Sequence, residues 1–146
     1  MLCSCSTNQK IPEISAASDA DAVVCIDGKQ YACHITYVNS STARITYTKP
    51  EGISGIVFSR TESDYSVSLG GLVCRNSGDP CRKGVSQRIL RMFDGITKGE
   101  TSFISVSEDG VYEFSGKCED GEYRIYTDST GKISEISSDD TIIEIV

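Results

Sequence analysis

The chain has 146 residues, a length that favours one domain, and 38% of them are hydrophobic, which is lean but enough for a core. Its formal net charge of −7 argues against general nucleic-acid binding. It contains no run of about 18 apolar residues, so the sequence predicts no membrane-spanning helix.

The first residues resemble the end of a bacterial lipoprotein signal. Leu2 and two small residues precede Cys5, and in such a signal that cysteine receives the lipid. The basic and apolar regions that usually come before the motif are missing. We expect lipidation at Cys5; the alternative is an ordinary N-terminal cysteine pair, either reactive or metal-binding. Residues 7–20 are small and polar and are expected to form a tether. The predicted organisation is therefore a signal remnant and tether at 1–21 and a β domain at 22–146.

Short alternating segments separated by turn residues predict most of the chain to be antiparallel strands. Asp27-Gly28 is a strong two-residue hairpin turn. Strands are predicted over residues 22–26, 29–38, 42–48, 55–60, 64–69 and 72–75, and after one helix over 101–107, 111–116, 122–127, 132–137 and 141–146. No alternation of strand and helix occurs, which argues against a parallel α/β sheet.

Residues 79–97 form the one convincing amphipathic helix of the sequence. Asp79 suits the N-cap, Pro80 the first helical position and Gly95 the end. The apolar residues recur at spacings of three and four, at Cys81, Val85, Ile89, Met92, Phe93 and Ile96. The only large partner for this stripe is the sheet. We therefore expect a mainly β fold, a curved antiparallel sheet forming an incomplete barrel, with one main helix packed on its concave face.

Residues 44–58 resemble the strand–Pro–Gly–strand block of the LolA-like superfamily of lipoprotein-carrier folds, with Pro50 and Gly52 at the turn. The hairpin over 65–74 and the helix near Ile89 come in the order found in small anchored bacterial lipoproteins with this fold. The resemblance implies an incomplete barrel whose concave apolar face is covered by helices. The carriers usually begin with a long helix, whereas residues 7–20 are short and contain Pro12. A soluble shuttle also needs no anchor of its own, and some anchored members instead bind a cell-wall enzyme.

Charge is unevenly distributed along the chain. Residues 108–146 contain 11 acidic and three basic residues, whereas residues 75–98 contain six basic and two acidic ones. One interpretation is a solvated helix face paired with nearby acids. The other is a docking surface for an acidic partner or for anionic headgroups, in which Arg88 and Arg91 would be the partner-binding residues.

No pattern in the sequence supports an enzyme, a cofactor or a metal site. His34 and Cys33 are neighbours in a strand, so they point to opposite faces and cannot act as a pair. The acidic residues of the later half fall in hairpin turns, where Asp commonly bonds to the local backbone.

Seven cysteines are present, an odd number, so at least one is outside any internal disulfide. A disulfide between Cys74 and Cys81 would pin the start of the helix to the preceding hairpin. With Asp27-Gly28 as the turn, Cys25 lies opposite Gln30 and Cys33 opposite Ala22, which separates these two cysteines on opposite faces. Cys118 has no obvious partner.

Two non-enzymatic functions at the outer face of the bacterial cell membrane follow, with attachment by the lipid anchor only; a purely structural role is the third alternative. The first is binding of an apolar ligand, such as an acyl chain, between sheet and helix. The second is binding of an envelope protein through the sheet edge or the basic helix face. An ordinary filled core is the alternative to a ligand cavity. The residues expected to line the ligand space are Ile45, Tyr47, Ile56, Phe58, Tyr65, Val67, Ile89, Phe93, Tyr112 and Phe114.

Overall fold

The computed structural model describes residues 10–62, 64–76 and 84–146. These residues contain one α-helix and eleven strands in a single antiparallel sheet. The strands before the helix are β1 Ser18–Ile26, β2 Lys29–Asn39, β3 Thr42–Lys49, β4 Val57–Thr61, β5 Asp64–Leu69 and β6 Leu72–Asn76. The helix is α1 Val85–Thr97, and after it come β7 Thr101–Val106, β8 Tyr112–Cys118, β9 Gly121–Thr127, β10 Ile133–Ser137 and β11 Thr141–Ile145.

The strand order explains how one helix can serve the whole sheet. It is β6-β5-β4-β3-β2-β1-β11-β10-β9-β8-β7, so two consecutive meanders meet where β1 pairs with β11. The two edge strands, β6 and β7, are those that precede and follow α1. The sheet is not closed, and α1 packs on its concave face. The fold class predicted from the sequence is confirmed.

Alternation within the strands sorts residues between the concave face, here called the inner face, and the convex outer face. Asp27 and Gly28 both have positive φ, 50° and 77°, as a type I′ turn requires. The predicted hairpin register is confirmed, since Cys25 pairs with Gln30 and Cys33 with Ala22. Inner-face residues from both meanders join the apolar side of α1 in one core, which includes Val24, Ile35, Ile45, Ile89, Phe93, Ile125, Ile136 and Ile143.

The start of β1, the start of α1 and the role of Gly95 differ most from the sequence prediction. β1 begins at Ser18, and Ile14 and Ala16 already pack against the core, so the sheet starts before residue 22. Gly84 is extended, with φ −70° and ψ 156°, so α1 begins at Val85 rather than at residue 79. The predicted caps Asp79 and Pro80 lie outside the described residues. Gly95 lies inside α1 instead of ending it, for a packing reason given below.

Candidate functional site

Hydrogen bonds near both ends of α1 fix it on the inner face. At the first turn, the hydroxyls of Tyr47 and Ser86 hydrogen-bond to each other in a buried position. At the last turn, the Tyr37 hydroxyl donates to Asp94 Oδ1 at 2.7 Å, and its ring stacks on Phe93 with centroids 5.1 Å apart. Burial raises the pKa of Tyr37 and of Tyr47 to about 12, so both remain neutral donors.

An ion pair between Arg60 of β4 and Asp94 is the strongest polar link between sheet and helix. Both guanidinium Nη atoms donate to the Asp94 carboxylate at 2.8 Å, and the Arg60 side chain is only 5% exposed. Burial alone would lower the pKa of Arg60, but the hydrogen bonds and charge of Asp94 outweigh it and raise that pKa. Arg60 Nε has no partner among the described residues. The pair is therefore a structural clamp between α1 and the sheet, in which each charge needs the other as its counter-ion.

A pair of glycines brings α1 unusually close to β8 and β9. A Cβ on Gly95 would lie 2.5 Å from the Tyr123 hydroxyl oxygen and 2.9 Å from the Lys117 carbonyl oxygen. A Cβ on Gly116 of β8 would lie 2.6 Å from the ring of Tyr123. Tyr123 fills the space between the two glycines and donates to the Met92 carbonyl at 2.8 Å. Gly95 is thus required by close approach and not by helix termination.

The ten residues predicted to line a ligand space do face the inside of the molecule, but most of them fill it. Seven of the ten are buried: Ile45, Tyr47, Phe58, Ile89, Phe93, Tyr112 and Phe114. Ile56 and Tyr65 are half-buried and pack against the core. A surface depression of about 610 Å³, lined by Val23, Gln30, Ala32 and Thr48, lies on the outer face. In the described part of the chain, side chains therefore occupy the space directly beneath α1.

The tenth predicted residue, Val67, lies in a part of the inner face that α1 does not cover. Val67 pairs with the buried Phe58 on one side and with Cys74 on the other. Leu69 pairs with Leu72 next to them, and the exposed fractions of Val67, Leu69 and Leu72 are 36%, 51% and 77%. We call Val67, Leu69, Leu72 and Cys74 the open patch. The alternation of side chains along β5 and β6 is enough to assign Leu69 and Leu72 to the inner face. It does not indicate which strands the helix covers.

The basic residues of α1 are engaged with acidic turns of the same chain. Arg88 forms ion pairs with Asp27 at 3.5 Å and with Asp140, and Arg91 Nε donates to Asp120 Oδ2 at 2.7 Å. This geometry matches the interpretation of a helix face paired with nearby acids. Partner binding by Arg88 and Arg91 stays a prediction, and a partner would have to compete with these carboxylates.

The cysteines do not provide the predicted pin. Cys74 is an exposed free thiol, so the disulfide expected between Cys74 and Cys81 is not present; Cys81 itself lies outside the described residues. Cys25, Cys33 and Cys118 are also free. Burial raises the pKa of Cys33 to about 11, which keeps this thiol protonated and unreactive. Cys5, the predicted lipidation site, also lies outside the described residues.

Among the described residues, no helix combines the length and apolar character needed to cross a membrane. The same residues contain no group of three or more His, Cys, Asp and Glu side chains placed to hold a metal ion.

The architecture is similar to that of several solved structures. An uncharacterized conserved protein from Thermus thermophilus matches with a TM-score of 0.55 and 10% identity, over 89% of this chain and 77% of the other. The shared property is the fold. No protein-family model matches the chain, and no curated protein is significantly similar to it.

Two other similar structures have lower TM-scores. One is a LolA superfamily protein from Nitrosomonas europaea, with a TM-score of 0.46 and 10% identity over 94% of this chain and 87% of the other. The second is a putative outer membrane lipoprotein-sorting protein domain from Vibrio parahaemolyticus, with a TM-score of 0.45 and 8% identity over 96% and 88%.

Proposed function

We propose that this chain is a non-enzymatic binding domain of the bacterial cell envelope, anchored through Cys5, which holds an acyl chain or similar apolar ligand on the inner face of its sheet. The observation that carries the proposal is the open patch. It places three exposed aliphatic side chains on adjacent strands, next to the filled core. The ligand would lie beside the first turn of α1 and not beneath the helix.

The position beside the helix follows from how firmly α1 is fixed. Moving α1 away from the sheet would break the Arg60–Asp94 pair and uncover Ile89 and Phe93, which are fully buried. Losing one partner of a buried ion pair typically costs about 3–5 kcal/mol. A ligand that uses the open patch pays no such cost. The helix therefore acts as a fixed wall of the site.

The energetics favour a long aliphatic chain. Each methylene group removed from water contributes about 0.8 kcal/mol, and micromolar affinity corresponds to about 8 kcal/mol. About ten buried methylenes are needed before the cost of association is counted. We therefore expect affinity to rise steeply between an eight-carbon and a sixteen-carbon fatty acid.

A fluorescent stearic acid, displaced by unlabelled palmitate or octanoate, provides the direct measurement. Palmitate should displace the probe and octanoate should do so weakly. Leu72→Asp should abolish binding, because it places a charge in the open patch. Val73→Asp is the matched control, since Val73 is the next residue of β6 and is 53% exposed, but its side chain lies on the outer face. Equal loss in both variants, or no binding by the wild type, would refute the proposal.

A second candidate, binding of an envelope protein through the sheet edge, is favoured by a difference between the two edge strands. β7 contains a register shift between Phe103 and Ser105, a bulge that discourages pairing with another strand. β6 has no register shift against β5, and among the described residues no strand pairs with its free edge. An extended segment of a partner could add to β6.

Variants at Leu72 and Val73 also distinguish the two proposed functions. Val73→Lys puts a charge on the β6 edge without touching the inner face, so it should weaken edge pairing and leave the fatty-acid probe bound. Crosslinking in the membranes of the native host, compared between wild type and Val73→Lys, tests this. A partner retained by Val73→Lys but lost by Leu72→Asp would exclude the edge and indicate the open patch.

A further inference from the structure

His34, the single histidine of the chain, lies between two carboxylates on the outer face. Its Nδ1 is 2.8 Å from Asp21 Oδ1 and its Nε2 is 2.7 Å from Asp19 Oδ1. The Thr36 hydroxyl donates to the same oxygen of Asp19 at 3.2 Å. The two aspartates belong to β1, whereas His34 and Thr36 belong to β2.

This geometry specifies the protonation state of the ring. An ionised carboxylate only accepts hydrogen bonds, so each ring nitrogen must carry a proton to bond to its aspartate. A neutral imidazole carries one N–H and can satisfy only one of the two. The arrangement is complete only with an imidazolium between two carboxylates. The hydrogen bonds that the ring donates to Asp21 and Asp19 accordingly raise the pKa of His34, and the bonds that Asp19 accepts from His34 and Thr36 lower the pKa of Asp19.

The cluster lies where β1 has a strand on only one side. β11 pairs with β1 from Ala22 to Ile26, while the first residues of β1, from Ser18 to Asp21, pair with β2 alone. From the other side, the amide of Val146 donates to the Asp21 carbonyl at 2.9 Å. The first residues of β1 are therefore attached mainly to β2, through the backbone ladder and through the side-chain bonds of the cluster.

The residues before β1 adjoin this attachment and also have contacts of their own. Ile14 and Ala16 pack against the core, and the Ser15 amide donates to the Gly131 carbonyl at 3.0 Å. A depression of about 380 Å³ is lined by residues of 15–20 on one side and by Ile133 and Ile145 on the other. If the start of β1 separates from β2, these contacts alone hold the segment, and apolar surface beside β10 becomes more accessible.

We propose that Asp19, His34 and Asp21 form a proton-dependent clip that holds residues 14–21 on the sheet. While the imidazolium is present, the clip ties the start of β1 to β2. When the ring loses one proton to solvent, one aspartate loses its hydrogen bond and the two carboxylates lose the charge between them. The segment then detaches more often, and the inner apolar surface at that end opens.

Other charged groups around His34 modify the clip without replacing it. On β3, Thr46 is directly opposite His34 and Arg44 is opposite Thr36. On β11, Glu144 is opposite Val23, two residues from Asp21 on the same face. Arg44 disfavours the imidazolium and Glu144 favours it, but both are exposed charges screened by solvent.

Because the chain has one histidine, its titration can be followed without assignment ambiguity. In NMR titrations of the full chain, the His34 ring should titrate above the ordinary value of about 6.5, and Asp21→Asn and Asp19→Asn should each lower its pKa. Glu144→Gln removes a carboxylate from the same face outside the clip and should lower it little. A wild-type value at or below 6.5, or an equal effect of Glu144→Gln, would overturn the proposal.

Hydrogen exchange tests the coupling to the segment. Protection factors of residues 15–20, corrected for intrinsic exchange, should fall between pH 6 and pH 9 by up to about tenfold for each unit by which the His34 pKa is raised. In His34→Gln the fall should disappear and protection should be low throughout. Amides of β9 serve as the internal control. An unchanged protection of residues 15–20 in His34→Gln would show that the cluster is only a surface ion pair and would exclude the clip.

Discussion

The two ends of the sheet differ in how α1 covers them. At β8 and β9, Gly95 and Gly116 let the helix approach until a single tyrosine ring, Tyr123, fills the gap. At β5 and β6, the same inner face carries Val67, Leu69 and Leu72 with no helix above them among the described residues. One helix of thirteen residues cannot cover eleven strands, and the position of the glycines decides which end it covers. The uncovered end at β5 and β6 is a part of the inner face that remains available for binding.

The sharpest test of this difference compares two residues that face each other across neighbouring strands. Phe58 is buried and Val67, its partner on β5, is partly exposed. Phe58→Ala should lower the free energy of unfolding by about 3–5 kcal/mol, because it leaves a cavity in a packed core. Val67→Ala should cost less than about 1 kcal/mol. Urea unfolding of both variants measures this, and similar losses would mean that the boundary between covered and open regions lies elsewhere.

Breaking the clamp between helix and sheet should have an effect of similar size. Asp94→Ala leaves the Arg60 guanidinium buried without a counter-ion and should cost about 3–5 kcal/mol. Replacing both residues, as Arg60→Met with Asp94→Leu, should recover much of that loss, because no buried charge remains. Asp120→Ala removes an exposed partner of Arg91 and should cost less than about 1 kcal/mol. A double variant as unstable as Asp94→Ala would contradict the account of Arg60 as a charge dependent on Asp94.

Adding one methyl group at the close contact should have a smaller effect. Gly95→Ala improves helix propensity by about 1 kcal/mol, but its Cβ meets Tyr123 and a backbone carbonyl oxygen. We expect a net loss of about 1–3 kcal/mol, the usual cost of overpacking. Gly71→Ala is the control, since nothing lies within 4 Å of its added Cβ. The midpoint of thermal unfolding measures this effect. A Gly95→Ala variant more stable than the wild type would mean that α1 can move away from β8 at little cost in free energy.

The smallest expected effect is the dependence of stability on pH through His34. Its pKa is raised in the folded chain, so its contribution is complete below the unfolded value of about 6.5 and is lost as the pH rises through the folded pKa. The lowered pKa of Asp19 acts in the opposite direction: its contribution is present above the ordinary carboxyl range and is lost in acid. The urea midpoint should therefore fall from pH 6 to pH 9 in the wild type and stay nearer constant in His34→Gln. Identical pH profiles would remove His34 as the cause.

The sequence predicted the strands well because each strand carries its own signal. Alternation and two-residue turns such as Asp27-Gly28 are local, and β5 was placed at its observed bounds. The predicted start of α1 was wrong because the spacing of apolar residues continues upstream to Cys81, whereas the backbone of Gly84 is extended and α1 begins after it. The sequence pattern does not distinguish a glycine that ends a helix from one that allows the helix to approach a sheet closely, as Gly95 does.

The candidate site was predictable only in part, for a related reason. Alternation gives the face of a residue, and nine of the ten predicted lining residues are indeed in or against the core. Alternation does not show whether the helix covers a given inner-face residue, because that depends on where α1 lies relative to β5 and β6. The pairing of Arg60 with Asp94 and of His34 with two aspartates likewise joins residues 13 to 34 positions apart, and no local pattern records it.

The pairing of β1 with β11 has a consequence for how the chain acquires its structure. Each meander consists of hairpins between neighbouring segments, which close early because short loops cost little entropy. The seam between β1 and β11 joins segments at opposite ends of the described chain, in the middle of the sheet. It can form only after both halves exist, so its closure is expected to limit the folding rate. Until then each half exposes an unpaired strand edge, which a chaperone or a second copy of the chain could bind.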